Sequence, residues 1–151
     1  DHRTSKRTVL LVFGDKLPEE IDVPNITVSS VGAIRDDEML AKIYSAADLL
    51  VSPSRQENLS LTVLESLACG TPVVAFDIGG MPDMISGGHN GWLARPFDVD
   101  DLHDKIHTAI SLSAEALEPF GISARQTVMN NFSLEAEAAG MQRLFQRVLD
   151  Q

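Results

Sequence analysis

Short apolar runs and longer helical stripes alternate along the chain. Five of the runs have the length and the Val, Leu and Ile content of strands: residues 8–13, 26–31, 48–52, 72–76 and 91–94. Between them, and from residue 98 onward, apolar residues recur at spacings of three and four, as in helices with one buried face. Strands that alternate with helices form parallel sheets. The pattern predicts one α/β domain spanning residues 1–151, with a Rossmann-like parallel sheet, helices on both faces and a helical C-terminus.

The first of these runs is apolar without interruption, which is typical of a strand that is covered on both faces. Residues 8–13 are therefore predicted to form a fully buried central strand that ends in a turn at Gly14. The connection to the next strand contains Pro18, Pro24 and several acidic residues. We expect a loop there rather than a packed helix, because proline breaks helices.

Polar residues that can cap helices precede several of the stripes. Asp36 or Asp37 can cap the first helix, Asp98 a later one, and Ser133 the last. Pro119 is predicted to break the segment before the last helix. The stripes predicted to be buried in the first two of these helices are Met39, Leu40, Ile43, Tyr44 and Ala47, and Val99, Leu102, Ile106, Ala109 and Ile110. The last stripe, part of which is predicted to be exposed, is Leu134, Ala138, Met141, Leu144, Phe145, Val148 and Leu149.

The most informative stretch, residues 49–72, has the pattern of one strand-turn-helix unit. An apolar run at residues 49–51 is followed by a polar turn, and Gly70 and Pro72 lie where a helix C-cap and breaker belong. The buried face of the helix is predicted from four residues at helical spacing: Leu61, Leu64, Leu67 and Ala68. On this interpretation Glu57 precedes the first turn, and Glu65 lies about two turns inside the helix.

The start of such a helix has a definite ligand chemistry. Its free backbone N–H groups and the positive end of its dipole point to the carboxyl edge of the sheet, where anionic ligands bind. Glu57 and Glu65 do not bind phosphate, but carboxylates accept hydrogen bonds from hydroxyl groups. A ligand that carries both phosphate and several hydroxyl groups would suit the amides and the carboxylates together. Nucleotide sugars have this composition.

The two glutamates are separated by seven residues, which resembles the E-x7-E motif of retaining GT-B glycosyltransferases, in particular family 4, the group 1 type. Three further segments look like those that follow the motif in that family, in the same order and at similar spacing. They are residues 70–75, residues 79–83 and residues 90–93. The resemblance runs from about Val9 to the C-terminus and covers most of the second, donor-binding domain of such an enzyme.

The resemblance implies a role for each candidate site residue. Glu57 would be the catalytic residue that hydrogen-bonds the sugar hydroxyls, and Glu65 would accept the ribose hydroxyls. The amides at the helix start would hold sugar and phosphate, and residues 32–34 resemble the segment that binds the nucleobase through main-chain groups. The donor-binding residues predicted on this basis are Asn58, Leu59, Ser60, Leu61, Glu65, Gly14, Gly32, Ile34, Gly79 and Gly80.

Two positions depart from the family pattern. Asn58, Leu59 and Ser60 stand where the family often has Gly-Phe-Gly, so the backbone there has less access to unusual dihedral angles. Asp83 replaces the commoner glutamate, which is a mild change.

The resemblance also defines the expected reaction. It implies transfer of a hexose-type sugar from a nucleotide sugar to a glycan or lipid-linked acceptor, as in polysaccharide biosynthesis, with no cofactor and no metal. The family has an N-terminal acceptor domain and one more strand-helix unit, whose turn carries an arginine and a lysine that pair with the donor diphosphate. The chain is expected to begin after both, and to be inactive alone. The resemblance further implies a cytoplasmic enzyme, at the inner face of the membrane through its first domain.

Composition excludes other partners. The 151 residues carry a formal charge of −10, from 22 acidic and 12 basic residues, so the chain has no general positive field for nucleic acid or an anionic bilayer. No apolar run approaches twenty residues, so we expect no direct membrane insertion.

The cysteine and histidine residues indicate no metal site. Cys69 is the single cysteine and is predicted to serve packing. His103 and His107 are four residues apart, but they lack a third ligand and are predicted to be solvated helix residues.

Two alternatives remain open from the sequence. Another GT-B enzyme, such as a nucleotide-sugar epimerase or a glycogen-phosphorylase-like enzyme, would share the sheet, although the phosphorylase type needs a pyridoxal-binding lysine and lysine is scarce here. A non-catalytic flavodoxin-like or receiver-like module is the second. Its receiver form needs clustered acids after one strand and a lysine after a later one. Asp36 and Asp37 fit the acids, but no such lysine directly follows the run that ends at Phe76.

Overall fold

The computed structural model describes residues 8–14 and 23–150. Its elements in chain order are β1 (Thr8–Phe13), β2 (Ile26–Gly32), α1 (Asp37–Ala46), β3 (Leu50–Ser52), α2 (Leu61–Ala68), β4 (Val73–Phe76), α3 (Met81–Met84), β5 (Gly91–Ala94), α4 (Val99–Ile110), α5 (Ala114–Asn131) and α6 (Leu134–Leu149). The predicted α/β class with parallel sheets, flanking helices and a helical C-terminus is confirmed. The chain divides into two compact units, Asp1–Leu40 and Ala41–Gln151. The assignment of residues 1–151 to one domain stays a prediction.

The first unit contains a two-stranded parallel sheet. β1 pairs with β2 from Thr8, opposite Ile26, to Phe13. The prediction that β1 is a fully buried central strand is wrong, because Val9 is 57% exposed and Leu10 is 41% exposed. In the part of the chain that the structure describes, β1 has a single partner strand, so one of its edges is not paired. The loop predicted after β1 falls mostly on residues 15–22, which lie outside the described residues.

Helix α1 begins where the sequence predicted. The carboxylate of Asp36 accepts a hydrogen bond from the backbone N–H of Met39 at 2.9 Å, which is the geometry of an N-cap. Of the stripe predicted to be buried, however, only Tyr44 is buried, whereas Met39 is 49% exposed and Ala47 is also exposed. A stripe at helical spacing indicates which residues can be buried together, but not how much of it another element covers.

The second unit is built on the three-stranded parallel sheet β3-β4-β5. Its middle strand, β4, is buried throughout, and its side chains alternate between two hydrophobic clusters. Val73 and Ala75 belong to one cluster, and Val74 and Phe76 belong to the other. This alternation follows from the period of two along a strand. The strand that is covered on both faces is therefore β4, not β1.

One face of this sheet is covered by α2, with α5 packed behind it. Val63 and Leu67 of α2 are fully buried in the cluster that also contains Ala124 of α5. The predicted buried face of α2 is only partly correct, because Leu61 is 67% exposed and Ser66 is fully buried. Ser66 can be buried because its hydroxyl donates a hydrogen bond to the backbone carbonyl of Thr71 at 3.0 Å.

The other face of the sheet is covered by α4. Leu102 and Ala109 of α4 pack against the second cluster of β4 and against Ala94 of β5. Asp98 caps this helix as predicted, since its carboxylate accepts a hydrogen bond from the N–H of Asp101 at 3.0 Å. The prediction of burial is wrong for Val99, which is 70% exposed at the first position of the helix.

Helix α5 continues through Pro119, so the predicted break is wrong. Proline removes one backbone hydrogen bond near the start of the helix, and tertiary contacts offset this loss. The neighbouring Phe120 stacks on Trp92 of β5 with ring centroids 4.6 Å apart. One residue further, the backbones of Gly121 and Gly70 touch, because a Cβ built on Gly121 would lie 2.5 Å from the carbonyl oxygen of Gly70. Gly70 itself follows α2 with φ +81°, as its predicted C-cap role requires.

The turn between α3 and β5 is held by Asn90, which is fully buried. Its side-chain oxygen accepts a hydrogen bond from the N–H of Ser86 at 2.7 Å. Its side-chain nitrogen donates to the carbonyl of Met84 at 3.0 Å and to the hydroxyl of Thr127 at 3.2 Å. Asn90 therefore connects this turn to α5.

Helix α6 closes the chain with an uncovered apolar stripe. Ser133 caps it as predicted, accepting a hydrogen bond from the N–H of Ala136 at 3.2 Å. None of the residues of α6 is buried, and Leu134 and Leu149 are each 80% exposed, in line with the predicted exposure of this stripe. Among the described residues, no helix is both long and apolar enough to cross a membrane.

We expect Gly121→Ala to destabilise the protein although alanine is the better helix former. Alanine gains about 1 kcal/mol in an open helix position, but here its Cβ would separate α5 from α2, and overpacking costs about 1–3 kcal/mol. Gly140→Ala in α6 is the matched control, because a Cβ there would meet nothing closer than Arg143 at 3.9 Å. Urea unfolding followed by Trp92 fluorescence should show a lower midpoint for the first variant and an equal or higher one for the second. Equal stabilisation by both would contradict the close α2–α5 packing.

Candidate functional site

A loop at the carboxyl edge of the second unit's sheet connects β3 to α2. We call residues 53–60 the site loop. Glu57 in this loop is half-buried, whereas Asn58 and Leu59 are exposed. Ser60 ends the loop and is 6% exposed. Glu57 therefore precedes α2 as predicted, at the edge of an α/β sheet where ligands bind.

The start of α2 has free backbone donors. Ser60 is its N-cap, and the carbonyl of Ser60 accepts the first helical hydrogen bond, from the N–H of Leu64 at 3.1 Å. The Ser60 side chain makes no capping hydrogen bond. The N–H groups of the first helical turn therefore have no acceptor within α2, and they carry the partial positive charge of a helix start.

Glu65 lies one turn inside α2, not two, because the helix begins at Leu61. Its carboxylate is exposed, and one oxygen, Oε2, accepts a hydrogen bond from the hydroxyl of Tyr44 at 2.9 Å. Tyr44 is only 3% exposed. Burial, followed by the hydrogen bond to Glu65, raises the pKa of Tyr44 above its ordinary value of 10.0, while a hydrogen bond from Thr62 acts in the opposite direction. The Tyr44 hydroxyl is therefore a permanent donor at neutral pH.

Sequence reasoning assigned Tyr44 only to the core. The signal that could have found its second role is chemical, because a buried tyrosine hydroxyl needs a hydrogen-bond partner. The backbone of Tyr44 is fixed as well, since its carbonyl accepts a hydrogen bond from the Thr71 hydroxyl at 2.6 Å. Together with the Ser66–Thr71 bond, this contact joins the end of α1 to α2 and to the start of β4.

Gly79 and Gly80, in the turn after β4, lie directly against the site loop. A Cβ on Gly79 would overlap the carbonyl oxygen of Glu57, and a Cβ on Gly80 would overlap that of Asn58. Gly79 also has φ +51°, which disfavours other residues. The sequence predicted that these glycines approach a ligand. The structure reveals a different close contact, between their backbone and the backbone that carries Glu57.

A cation and an aromatic ring meet at the same edge of the sheet. The guanidinium of Arg55, in the site loop, lies 5.6 Å from the ring centroid of Phe97, which follows β5. Phe97 is 52% exposed, has φ +61° and lies 6.2 Å, between ring centroids, from Phe76 at the end of β4. Non-glycine residues rarely adopt such a φ. Sequence reasoning missed this pair, because nothing in the local pattern indicates that Phe97 has a positive φ.

The other predicted donor-binding residues belong to the first unit. Gly14 and Gly32 lie together there, since the N–H of Gly14 donates to the carbonyl of Gly32 at 2.9 Å. Both have positive φ, +99° and +68°, and Ile34 nearby in the chain is half-buried. Their role in binding a nucleobase stays a prediction.

The described residues offer little to a metal ion. His103 and His107 are exposed on α4, with ring centroids 6.3 Å apart. Within residues 8–14 and 23–150, no group of three His, Cys, Asp or Glu side chains could hold a metal. The expectation of a metal-independent reaction stays a prediction.

Comparison with known sequences gives one family. The family model of the glycosyl transferases group 1 matches residues 2–111. Among curated proteins, a sulfoquinovosyl transferase from Arabidopsis thaliana is 40% identical over 98 residues. The match covers 63% of this chain and 19% of that protein.

Comparison with solved structures gives the same kind of protein. The sucrose-phosphate synthase of Thermosynechococcus elongatus has a TM-score of 0.73 and 29% identity, covering 95% of this chain and 39% of that one. TarM from S. aureus, solved in a complex that includes UDP, has a TM-score of 0.67 and 29% identity, covering 79% of this chain and 24% of that one. The chain thus spans between about a fifth and two fifths of the length of these relatives.

We expect Gly80→Ala to displace the site loop. The added methyl group would push the carbonyl of Asn58 away, because Gly80 itself has an ordinary φ of −86° and only the contact is affected. Amide chemical shifts of Asn58 and Leu59 should change markedly. Gly87→Ala is the control, since a Cβ there meets nothing within 4 Å. Unchanged loop shifts in Gly80→Ala would contradict the contact.

We expect Tyr44 to ionise only above the pH at which tyrosine does so in the unfolded chain. Tyr44 is the single tyrosine, so the ultraviolet absorbance of tyrosinate reports it alone. Because the folded pKa is raised, the stability from the Tyr44 hydroxyl is present below pH about 10 and is lost as the pH rises through the folded pKa. Tyr44→Phe should therefore be less sensitive to alkali than the unchanged protein. The buried hydrogen bond would be contradicted if the folded protein formed tyrosinate with a midpoint pH equal to or below the midpoint of the same protein unfolded in urea.

Proposed function

The chain belongs to the family of glycosyl transferases group 1, and from this membership we propose that it binds the nucleotide-sugar donor of a retaining transfer of the family 4 type. The membership disfavours the receiver-like and flavodoxin-like alternatives. It equally disfavours an epimerase or a phosphorylase-like enzyme, because the relatives described above are named as a transferase and a synthase.

The observation that carries the proposal is the arrangement of Glu57 and Glu65 around the free amide end of α2. One carboxylate lies before the helix start and the other lies one turn after it, at the carboxyl edge of the sheet. The stretch from β3 to the end of α2 lies within residues 2–111, which the family model matches. Amides suit a diphosphate and carboxylates suit hydroxyl groups, so a nucleotide sugar fits both.

We assign the roles accordingly. Glu57 accepts hydrogen bonds from hydroxyl groups of the transferred sugar, and Glu65 accepts those of the ribose. The amides of residues 58–61 hold the sugar and the phosphates. TarM, at 29% identity, is a relative whose structure contains UDP, which supports a uridine nucleotide as the first donor to test.

The leaving diphosphate needs positive charge to stabilise it. The start of α2 supplies a partial charge, and Arg55 brings a full one to the same loop, where the ring of Phe97 holds its guanidinium. These groups stabilise a departing diphosphate without a metal ion. They would act together with basic residues elsewhere in the whole enzyme.

The whole protein carries the acceptor chemistry. We propose that the acceptor is recognised by other parts of the whole enzyme, because the matches cover 19% to 39% of the length of the relatives. We propose a hexose-type sugar and a glycan or lipid-linked acceptor, with the reaction on the cytoplasmic side of the membrane.

Calorimetry with two glutamate variants tests the proposed roles. Glu65→Gln should weaken the binding of UDP and of UDP-glucose alike, by roughly tenfold to a hundredfold, because charge-assisted hydrogen bonds contribute about 1.5–3 kcal/mol. Glu57→Gln should leave UDP binding unchanged and weaken UDP-glucose. Glu118→Gln, an exposed residue of α5 with the same loss of charge, is the control. GDP and ADP with their sugars form the parallel series.

Two outcomes would overturn the assignment. If neither variant changes the affinity for any nucleotide or nucleotide sugar, the two glutamates are surface acids. If Glu118→Gln weakens binding as much as Glu65→Gln, the effect comes from the change in net charge and not from a contact of Glu65 with the ligand.

A further inference from the structure

The hydroxyl of Tyr44, in α1, donates a hydrogen bond to a candidate site carboxylate of another helix. It lies 2.9 Å from Oε2 of Glu65, on a side chain that is 3% exposed. The two residues are 21 positions apart and belong to different helices. A buried donor is thus directed at the exposed carboxylate proposed to bind ribose.

This bond restricts the side-chain conformation of Glu65 and leaves most of its hydrogen-bond acceptor positions available. An ionised carboxylate has about four acceptor positions on its two oxygens. Tyr44 occupies one position on Oε2, so the remaining positions can accept two neighbouring hydroxyl groups. A free glutamate on a helix surface samples many rotamers, and each must be given up on binding. Fixing one oxygen in advance removes much of that loss, as preorganisation does in other binding sites.

Tyr44 is itself rigidly held. Thr71 donates to its backbone carbonyl at 2.6 Å, and Ser66 of α2 donates to the carbonyl of Thr71 at 3.0 Å. Thr71 and Ser66 are almost fully buried, so these bonds are sheltered from water. Tyr44 can therefore impose an orientation on Glu65 rather than follow it.

We propose that Tyr44 is a positioning residue that orients Glu65 to accept both ribose hydroxyl groups, so that the site prefers ribonucleotides to 2′-deoxyribonucleotides. This inference rests on the proposed donor-binding function. Tyr44 does not touch the ligand, and its effect passes entirely through the Glu65 carboxylate. The preference follows because a 2′-deoxy sugar leaves one of the prepared acceptor positions unused.

The test compares UDP with 2′-deoxy-UDP by calorimetry, with GDP, ADP and their 2′-deoxy forms as parallel pairs. For whichever nucleotide the unchanged protein binds, its affinity for the ribonucleotide should be about tenfold higher than for the 2′-deoxy form. Tyr44→Phe keeps the ring in the core and removes only the hydroxyl group. It should weaken ribonucleotide binding about fivefold and 2′-deoxyribonucleotide binding less than twofold, so that most of the preference disappears.

Thr71→Val is the matched control. It removes one bond to the Tyr44 backbone, whose carbonyl still accepts from the N–H of Ala47 at 3.1 Å, and it keeps the Tyr44 hydroxyl group. It should therefore lower stability in urea and reduce the ribose preference less than Tyr44→Phe does. If Tyr44→Phe retains the full preference, or if both variants change affinity only in proportion to their loss of stability, Tyr44 is a structural residue and the inference is wrong. Tighter ribonucleotide binding by Tyr44→Phe would show that Tyr44 competes for Glu65. If the unchanged protein binds none of the nucleotides, the proposed function fails, and this inference fails with it.

Discussion

The second unit depends on the burial of β4 on both faces. Because side chains alternate along a strand, its four residues supply two separate clusters, with α2 on one side and α4 on the other. Without α2 and α4, the apolar residues of β4 would be exposed to water on both faces. The packing of these two helices and the burial of the strand therefore depend on each other. The direction of the strand in turn fixes which ends of α2 and α4 meet the carboxyl edge. The candidate site is a consequence of that geometry.

At that edge two different interactions involve the residues of the candidate site. Gly79 and Gly80 bring a second loop against the backbone of Glu57 and Asn58, at a distance that no side chain would permit. One turn into α2, Glu65 accepts a hydrogen bond from the hydroxyl of Tyr44. One carboxylate is thus carried by a backbone in close contact with a second loop, and the other accepts a hydrogen bond from a buried donor. A site of this kind is largely formed before a ligand arrives.

Local pattern predicted the features that depend on local chemistry. The caps at Asp36, Asp98 and Ser133 and the strand that includes Val73 follow from residue type and spacing, and the structure confirms them. Features that depend on distant partners were missed. Periodicity favoured Leu61 for the buried face of α2, whereas the polar Ser66 is buried because Thr71 satisfies its hydroxyl.

The candidate site divides in the same way. The spacing of Glu57 and Glu65 was visible in the sequence, because it lies within one loop and one helix. The bond from Tyr44 and the ring of Phe97 beside Arg55 could not be predicted, since each joins segments that only the tertiary fold brings together. The exposed strand β1 was wrongly predicted to be buried. An apolar run indicates which residues a strand could bury, but not which elements cover it.

The most direct test of the account is a nuclear magnetic resonance titration of this chain with UDP-glucose, GDP-mannose and ADP-glucose. Donor binding at the carboxyl edge predicts that one of them shifts the amide signals of residues 57–61 and of Glu65 more than any others in the second unit. The shifts should saturate as the ligand is added. A spectrum that stays unchanged with all three sugars, or saturable shifts confined to the exposed faces of α5 and α6, would contradict the central claim.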